Sequence, residues 1–121
     1  MTGLSVLVVE DHADLRDMLV VFLESEGFSV QTATNGMEAL QRLDASRPAV
    51  ILLDLMMPVM SGDEFRTRQL ADPRFADVPV ICMTAAHDGS ARAARLRARA
   101  YFQKPIDFDR LLGAVREHAL A

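Results

Sequence analysis

Val50-Ile51-Leu52-Leu53-Asp54 sets four apolar residues in a row and closes them with an acid. A short apolar run that stops abruptly at a polar residue reads as a strand buried on both faces, the kind a parallel sheet uses. Three more runs have the same form. Val6-Leu7-Val8-Val9 leads into Glu10-Asp11, Val80-Ile81-Cys82-Met83 into Thr84, and Tyr101-Phe102-Gln103 into Lys104-Pro105. Open α/β sheets bind ligands outside the carboxyl ends of their strands. As neighbouring strands, these runs bring three acids, a hydroxyl and an ammonium to one edge, a donor set suited to a magnesium ion and a phosphoryl group.

Lys104 stands out on composition as well. Of 13 basic residues it is the only lysine, the rest being arginine. A position kept as lysine in an arginine-using chain suits a compact, flexible point charge and not a planar fork.

The 121 residues are read as one domain, 1–121, large enough to bury a core without staples. A net charge of −4 argues against direct nucleic-acid binding. The single cysteine, Cys82, lies inside an apolar run and reads as a buried, inert thiol. No apolar stretch reaches the ~20 residues that cross a bilayer, and residues 1–9 lack the basic start and long apolar core of a signal peptide. The expectation is a cytoplasmic domain without a membrane partner.

Strand and helix patterns alternate throughout. Leu15, Met18, Leu19, Phe22 and Leu23 recur at helical spacing, with Gly27 as the stop. Phe28 to Thr32 alternates like a strand, and Asn35-Gly36 opens a helix carrying Met37, Leu40 and Leu43. After Asp54 comes the turn-forming stretch Pro58 to Gly62, then a third helix near Asp63–Leu70 whose apolar face, Phe65 and Leu70, is thin. An alanine- and arginine-rich helix starts near Asp88, and a last one carries Phe108, Leu111, Leu112 and Val115. Five β–α units imply right-handed crossovers, a parallel sheet and helices on both faces.

In order and in strand-end context, Glu10-Asp11, Asp54, Thr84 and Lys104-Pro105 resemble the receiver domain of two-component response regulators, over the whole chain. The resemblance implies an α/β, flavodoxin-like doubly wound fold with strand order 2-1-3-4-5 and five helices, an order carried over from the family. It implies that Asp54 is the phosphoacceptor, attacking a phosphohistidine on a histidine kinase or histidine phosphotransfer protein. Glu10, Asp11, Asp54 and the backbone carbonyl of Met56 then hold Mg²⁺, Lys104 and Thr84 contact the phosphoryl group, and Thr84 with Tyr101 forms the switch. Three crowded carboxylates would repel one another without a cation, so stability should depend on metal or protonation. Asp11 doubles as a candidate cap for the first helix, and a fixed core position is the alternative for Tyr101.

The chain departs from the family pattern at three places. Met56 and Ala86, two residues after Asp54 and Thr84, cannot orient a hydrolytic water as an acid or amide could, and Met56 offers bulk to shield an acyl phosphate. Arg97 stands where the family usually has a glycine before the fifth strand, so that turn is expected to be differently built. Arg92, Arg95 and Arg99 form a basic stripe if the fourth helix extends that far, either a solvated face or, with Tyr101, an output surface for an acidic partner. His12, His87 and His118 lack metal-ligand spacing and carry no catalytic role.

The leading function is therefore a phosphorylation switch for an unknown output protein or domain, not a turnover enzyme. A hydrolase would want an acid at position 56, and a flavodoxin-like cofactor site would be repelled by Glu10-Asp11. A degenerate receiver that docks without phosphorylation is the remaining alternative.

Overall fold

The computed structural model describes residues 4–120, so the two ends of the 1–121 domain reading, Met1–Gly3 and Ala121, lie outside the described residues. Five strands alternate with five helices: β1 (Ser5–Val9), α1 (Ala13–Ser25), β2 (Ser29–Ala33), α2 (Gly36–Ala45), β3 (Val50–Asp54), α3 (Gly62–Leu70), β4 (Val80–Thr84), α4 (Gly89–Arg95), β5 (Ala100–Gln103) and α5 (Phe108–Ala119). The sheet is parallel throughout, in the order β2-β1-β3-β4-β5.

The period-2 pleat divides each central strand between two cores. Leu7, Val9, Ile51, Leu53, Val80 and Cys82 face one side, where Ala39, Leu43, Phe65 and Ala93 of α2, α3 and α4 cover them. Val6, Val8, Val50, Leu52, Ile81 and Met83 face the other, against Leu19 and Leu23 of α1 and Leu111, Leu112 and Val115 of α5. This double burial is why those runs lack polar alternation. Burial also holds the Cys82 thiol as the neutral form, its pKa pushed up to about 12.

Local signals set the helix ends. Asn35 caps α2 by accepting from Glu38 N–H, Ser61 caps α3 by accepting from Glu64 N–H, and Asp107 caps α5 by accepting from Arg110 N–H. At α1 the cap position is His12, without a side-chain cap bond, so Asp11 does not serve as the cap. Gly27, at φ 95°, ends α1 with Phe28 N–H bonded to Leu23 C=O and Gly27 N–H to Glu24 C=O, a paired closing motif.

The same motif ends α4, with an arginine in the glycine position. Arg97 has φ 58°, Ala98 N–H reaches Ala93 C=O at 3.0 Å and Arg97 N–H reaches Ala94 C=O at 3.1 Å. The turn is thus built in the usual way, contrary to the sequence expectation, and arginine bears the positive φ. Its carbonyls are tied down by Arg66 of α3, which donates to Leu96 O at 2.9 Å and Arg97 O at 3.2 Å. Arg66 is buried with no carboxylate paired to it among the described residues; Gln69 accepts its third bond at 2.7 Å and donates in turn to Phe75 O and Val78 O. This polar pair completes the face of α3 that looked thin in the sequence.

Two sequence readings of the surface change. Because α4 stops at Arg95, Arg99 is off the helix and the three-arginine stripe does not form. Met18, assigned to the apolar face of α1, is more than half exposed.

Candidate functional site

Register gathers the strand ends. Val9 pairs with Leu53, so Glu10 and Asp54 follow side by side; Asp54 pairs with Met83, and Thr84 with Gln103, which sets Lys104 one step beyond. Pleat parity then sorts the side chains. Asp54 continues the Val50–Leu52 side toward α1 and α5, whereas Thr84 and Tyr101 share the Cys82 side toward α4.

Glu10 is fully buried and Asp54 is 2 % exposed. Lys104 Nζ lies 2.8 Å from Glu10 Oε1 and donates to Asp54 Oδ2 at 3.1 Å. The Lys104 ammonium is the one partner of this buried Oε1 among the described residues. Its Oε2 accepts the His12 backbone N–H at 3.1 Å. The second oxygen of Asp54, Oδ1, accepts Met56 N–H at 3.0 Å, which fixes the plane of the carboxylate.

Burial is the chief reason that the Glu10 pKa is raised, and the neighbouring Asp54 charge adds to it against the lowering effect of Lys104. Burial works the other way on Lys104, but contacts with Glu10 and Asp54 outweigh it and raise its pKa, so the ammonium stays charged.

Asp11 completes the acid group from the exposed side. One oxygen each from Glu10, Asp11 and Asp54 lie within 4.8 Å of one another. Three convergent carboxylates match what a hard divalent cation takes as ligands. The Met56 carbonyl accepts no hydrogen bond among the described residues, and Met56 is 56 % exposed. These groups line an open cavity of about 520 Å³ whose outer wall is apolar: Leu15 and Met18 of α1, and Ile106 and Phe108 beyond the cis Lys104–Pro105 peptide.

Thr84 is buried at the end of β4, and its Oγ1 accepts Ala86 N–H at 3.2 Å, leaving the hydroxyl proton for another acceptor. Tyr101 is turned inward beside it. A Cβ on Gly89, the first residue of α4, would lie 2.5 Å from Thr84 Cγ2 and 2.6 Å from Tyr101 Oη. Only a residue without a side chain lets the helix start, the tyrosine and the threonine meet here. Sequence reasoning passed over Gly89, and nothing local marks it, since the contact comes from β4, α4 and β5 together.

Arg92 is corrected by the structure. Placed in the sequence reading on an open output surface, its side chain is only 15 % exposed and is folded onto α3, paired with Asp63. Of the three residues assigned to that surface, Arg95 is exposed and Tyr101 is half-buried.

A family model described as the response regulator receiver domain matches residues 6–116. A 14.6 kDa protein from the sodA1 3′ region of Leptolyngbya boryana is 37 % identical over 120 residues, 98 % of this chain and 92 % of that protein. Response regulator MprA of Mycobacterium avium is 38 % identical over 113 residues, which is 92 % of this chain and 49 % of MprA, so the chain spans about half of that relative. Response regulator TrrA of Thermotoga maritima, solved in complex with Mg²⁺–BeF, superposes with a TM-score of 0.83 at 30 % identity, covering 93 % of this chain and 96 % of that one. Among the described residues no helix is long and apolar enough to cross a membrane.

Proposed function

The chain belongs to the response regulator receiver domain family, and from that premise we propose that Asp54 is the phosphoacceptor of a magnesium-dependent switch. The observation that carries this reading is the Glu10–Asp11–Asp54 carboxylate group with Lys104 Nζ in contact with two of its members.

Each residue has a chemical task. A carboxylate oxygen of Asp54 attacks the phosphorus of a phosphohistidine; the P–N bond breaks, the imidazole leaves with the electron pair, and Asp54 becomes an acyl phosphate. Met56 N–H and Lys104 Nζ each hold one Asp54 oxygen, so the nucleophile is oriented before the donor arrives. Glu10, Asp11, Asp54 and the Met56 carbonyl would hold Mg²⁺, and the fit rests on the convergence of the three carboxylates and on a Met56 carbonyl that accepts no hydrogen bond among the described residues. When bound, that ion neutralises charge on the phosphoryl oxygens. The relative TrrA was crystallised with Mg²⁺–BeF, which supports the choice of metal.

After transfer, Lys104 pairs with a phosphoryl oxygen and Thr84 donates its free hydroxyl proton to another. Pulling Thr84 toward the phosphoryl group opens space at its methyl, on the side where Gly89 and the Tyr101 hydroxyl lie. The switch thus reaches α4 and β5, and the output partner reads that face, with Arg95 and Tyr101 as contacts. The apolar wall of Leu15, Met18, Ile106 and Phe108 suits a helix of a histidine kinase or phosphotransfer protein that delivers the phosphohistidine. Transfer ends on the domain's own side chain, so it is not a turnover enzyme. A donor charged from cytoplasmic ATP puts the domain in the cytoplasm.

The test is intact mass after incubation with Mg²⁺ and acetyl phosphate, beside Asp54→Asn and a metal-free sample. One added phosphoryl group, lost in both controls, is expected. No adduct from either acetyl phosphate or a phosphorylated kinase would overturn the reading in favour of a docking module.

A further inference from the structure

We infer that Arg92 is a positioning residue for phosphoryl acceptance, holding from α4 the loop that presents Met56 to the carboxylate group; this deepens the function proposed above and rests on it. One guanidinium collects three residues. It pairs with Asp63 in the first turn of α3, with Nε at 3.4 Å from Asp63 Oδ2 in addition to the closer contact. Its Nη2 donates to Leu55 O at 3.4 Å and its Nη1 to Met56 Sδ at 3.2 Å. Leu55 and Met56 directly follow Asp54 in the chain.

The Met56 contact is what links this clasp to the chemistry. Met56 is an exposed side chain on a loop, and two bonds tie it: its N–H to Asp54 Oδ1 and its sulfur to Arg92. Asp54, Met56 and Arg92 therefore form one connected chain from the nucleophile to α4. Loop residues without such ties sample several backbone shapes, and a carbonyl ligand has to be ordered before it can bind a cation. The fork shape matters, because a lysine ammonium at the same place reaches Asp63 but cannot also cover Leu55 O and Met56 Sδ. Asp63 serves as the anchor that keeps the fork flat against the loop.

The consequence is a coupling with a direction. Whatever moves α4 away from α3 loosens the loop and weakens cation binding, and by reciprocity a bound cation holds α4 in place.

The opposing effect gives a clean test. Arg92 is a positive charge near a cation site, so charge alone predicts that its removal strengthens Mg²⁺ binding. Positioning predicts the reverse. Mg²⁺ affinity would be measured by calorimetry on the full chain, the Arg92→Met, Arg92→Lys and Asp63→Asn variants, and the Arg92→Met/Asp63→Asn double variant. Weakening of about tenfold is expected for Arg92→Met, in line with outer partners of a metal site. Arg92→Lys should weaken binding although it keeps the charge, and the double variant should be no worse than the worse single one. With acetyl phosphate, the Mg²⁺ concentration for half-maximal rate should rise while the rate at saturating Mg²⁺ stays within about twofold of the parent. Urea unfolding in the absence of Mg²⁺ checks that each variant is folded. Binding by Arg92→Met as tight as the parent or tighter would overturn the inference. A parent chain that binds no Mg²⁺ and takes no phosphoryl group would overturn the proposed function with it, whereas a competent parent with unaltered variants would overturn this inference alone.

Discussion

Replacing Lys104 by methionine removes the one ammonium between two buried carboxylates. With contacts of 2.8 Å to Glu10 and 3.1 Å to Asp54, the gross attractions at an effective dielectric near 20 are about 6 and about 5 kcal/mol. Part of that is offset by water regained or kept by the lysine, whose side chain is 21 % exposed. Breaking a buried ion pair from one side costs about 3–5 kcal/mol, and the partial exposure argues for the lower end, about 3 kcal/mol. For a domain of this size that is a fall in Tm of roughly 10 °C.

The loss should depend on pH with a definite sign. The Glu10 pKa is raised in the folded state, chiefly by burial, and without Lys104 it rises further. The folded protein then binds the Glu10 proton more tightly than the unfolded chain does. Stability is therefore gained as pH falls toward the ordinary carboxyl range and lost as pH rises through the raised folded-state value. Urea unfolding of parent and Lys104→Met, without Mg²⁺, should show the largest difference at pH 8 and a clearly smaller one at pH 5. Saturating Mg²⁺ should recover part of the loss at pH 8, since about 100 times the Kd adds about 2.7 kcal/mol to the folded state. Equal stability of the two proteins at pH 8, or a difference independent of pH, would refute the reasoning.

Arg97 holds φ 58° with an exposed side chain and uses only its backbone for the Arg66 bond, so Arg97→Gly should stabilise the fold by about 1 kcal/mol in urea unfolding at constant m-value. Val59, at φ 68° and 81 % exposed, is a β-branched residue in a three-residue turn closed by Met60 N–H to Pro58 C=O, and Val59→Gly should likewise gain about 1 kcal/mol in the same assay. Gly89→Ala puts a methyl group into Thr84 and Tyr101; the chain has one tyrosine and no tryptophan, so increased quenching of tyrosine fluorescence by iodide would report Tyr101 driven outward. Arg66→Met leaves Gln69 Oε1 and the Leu96 and Arg97 carbonyls without donors, and about 3 kcal/mol of stability should be lost in urea unfolding.

The central strands were readable from the chain because burial on both faces of a parallel sheet leaves uninterrupted apolar runs, and Val50–Asp54 is such a run. Helix punctuation was readable where one local interaction decides it, as at Gly27 and at Asn35 with Glu38. The acid group, Thr84 and Lys104 followed from strand ends, because each residue's place is set by its own run and all the runs end at one edge. Their convergence around one cavity is what the structure adds for Glu10, Asp11, Asp54 and Lys104.

What stayed hidden depends on contacts between elements far apart in sequence. Arg66 and Gln69 look like the solvated side of α3, yet they are buried because the α4 end and the loop before β4 supply carbonyls that need donors. Arg92 looks like part of a basic stripe, and only the packing of α4 on α3 turns it to Asp63 and Met56. Gly89 carries no sequence signal at all, since its requirement comes from Thr84 and Tyr101 on two other strands. The sequence by itself determined the sheet, the strand ends and the chemical character of the carboxylate edge, because those rest on local pattern and hydrophobic burial. Tertiary structure alone decided which arginines are buried, which glycine is needed and how α4 is tied to Asp54, because each of those is set by a partner that the chain meets only on folding.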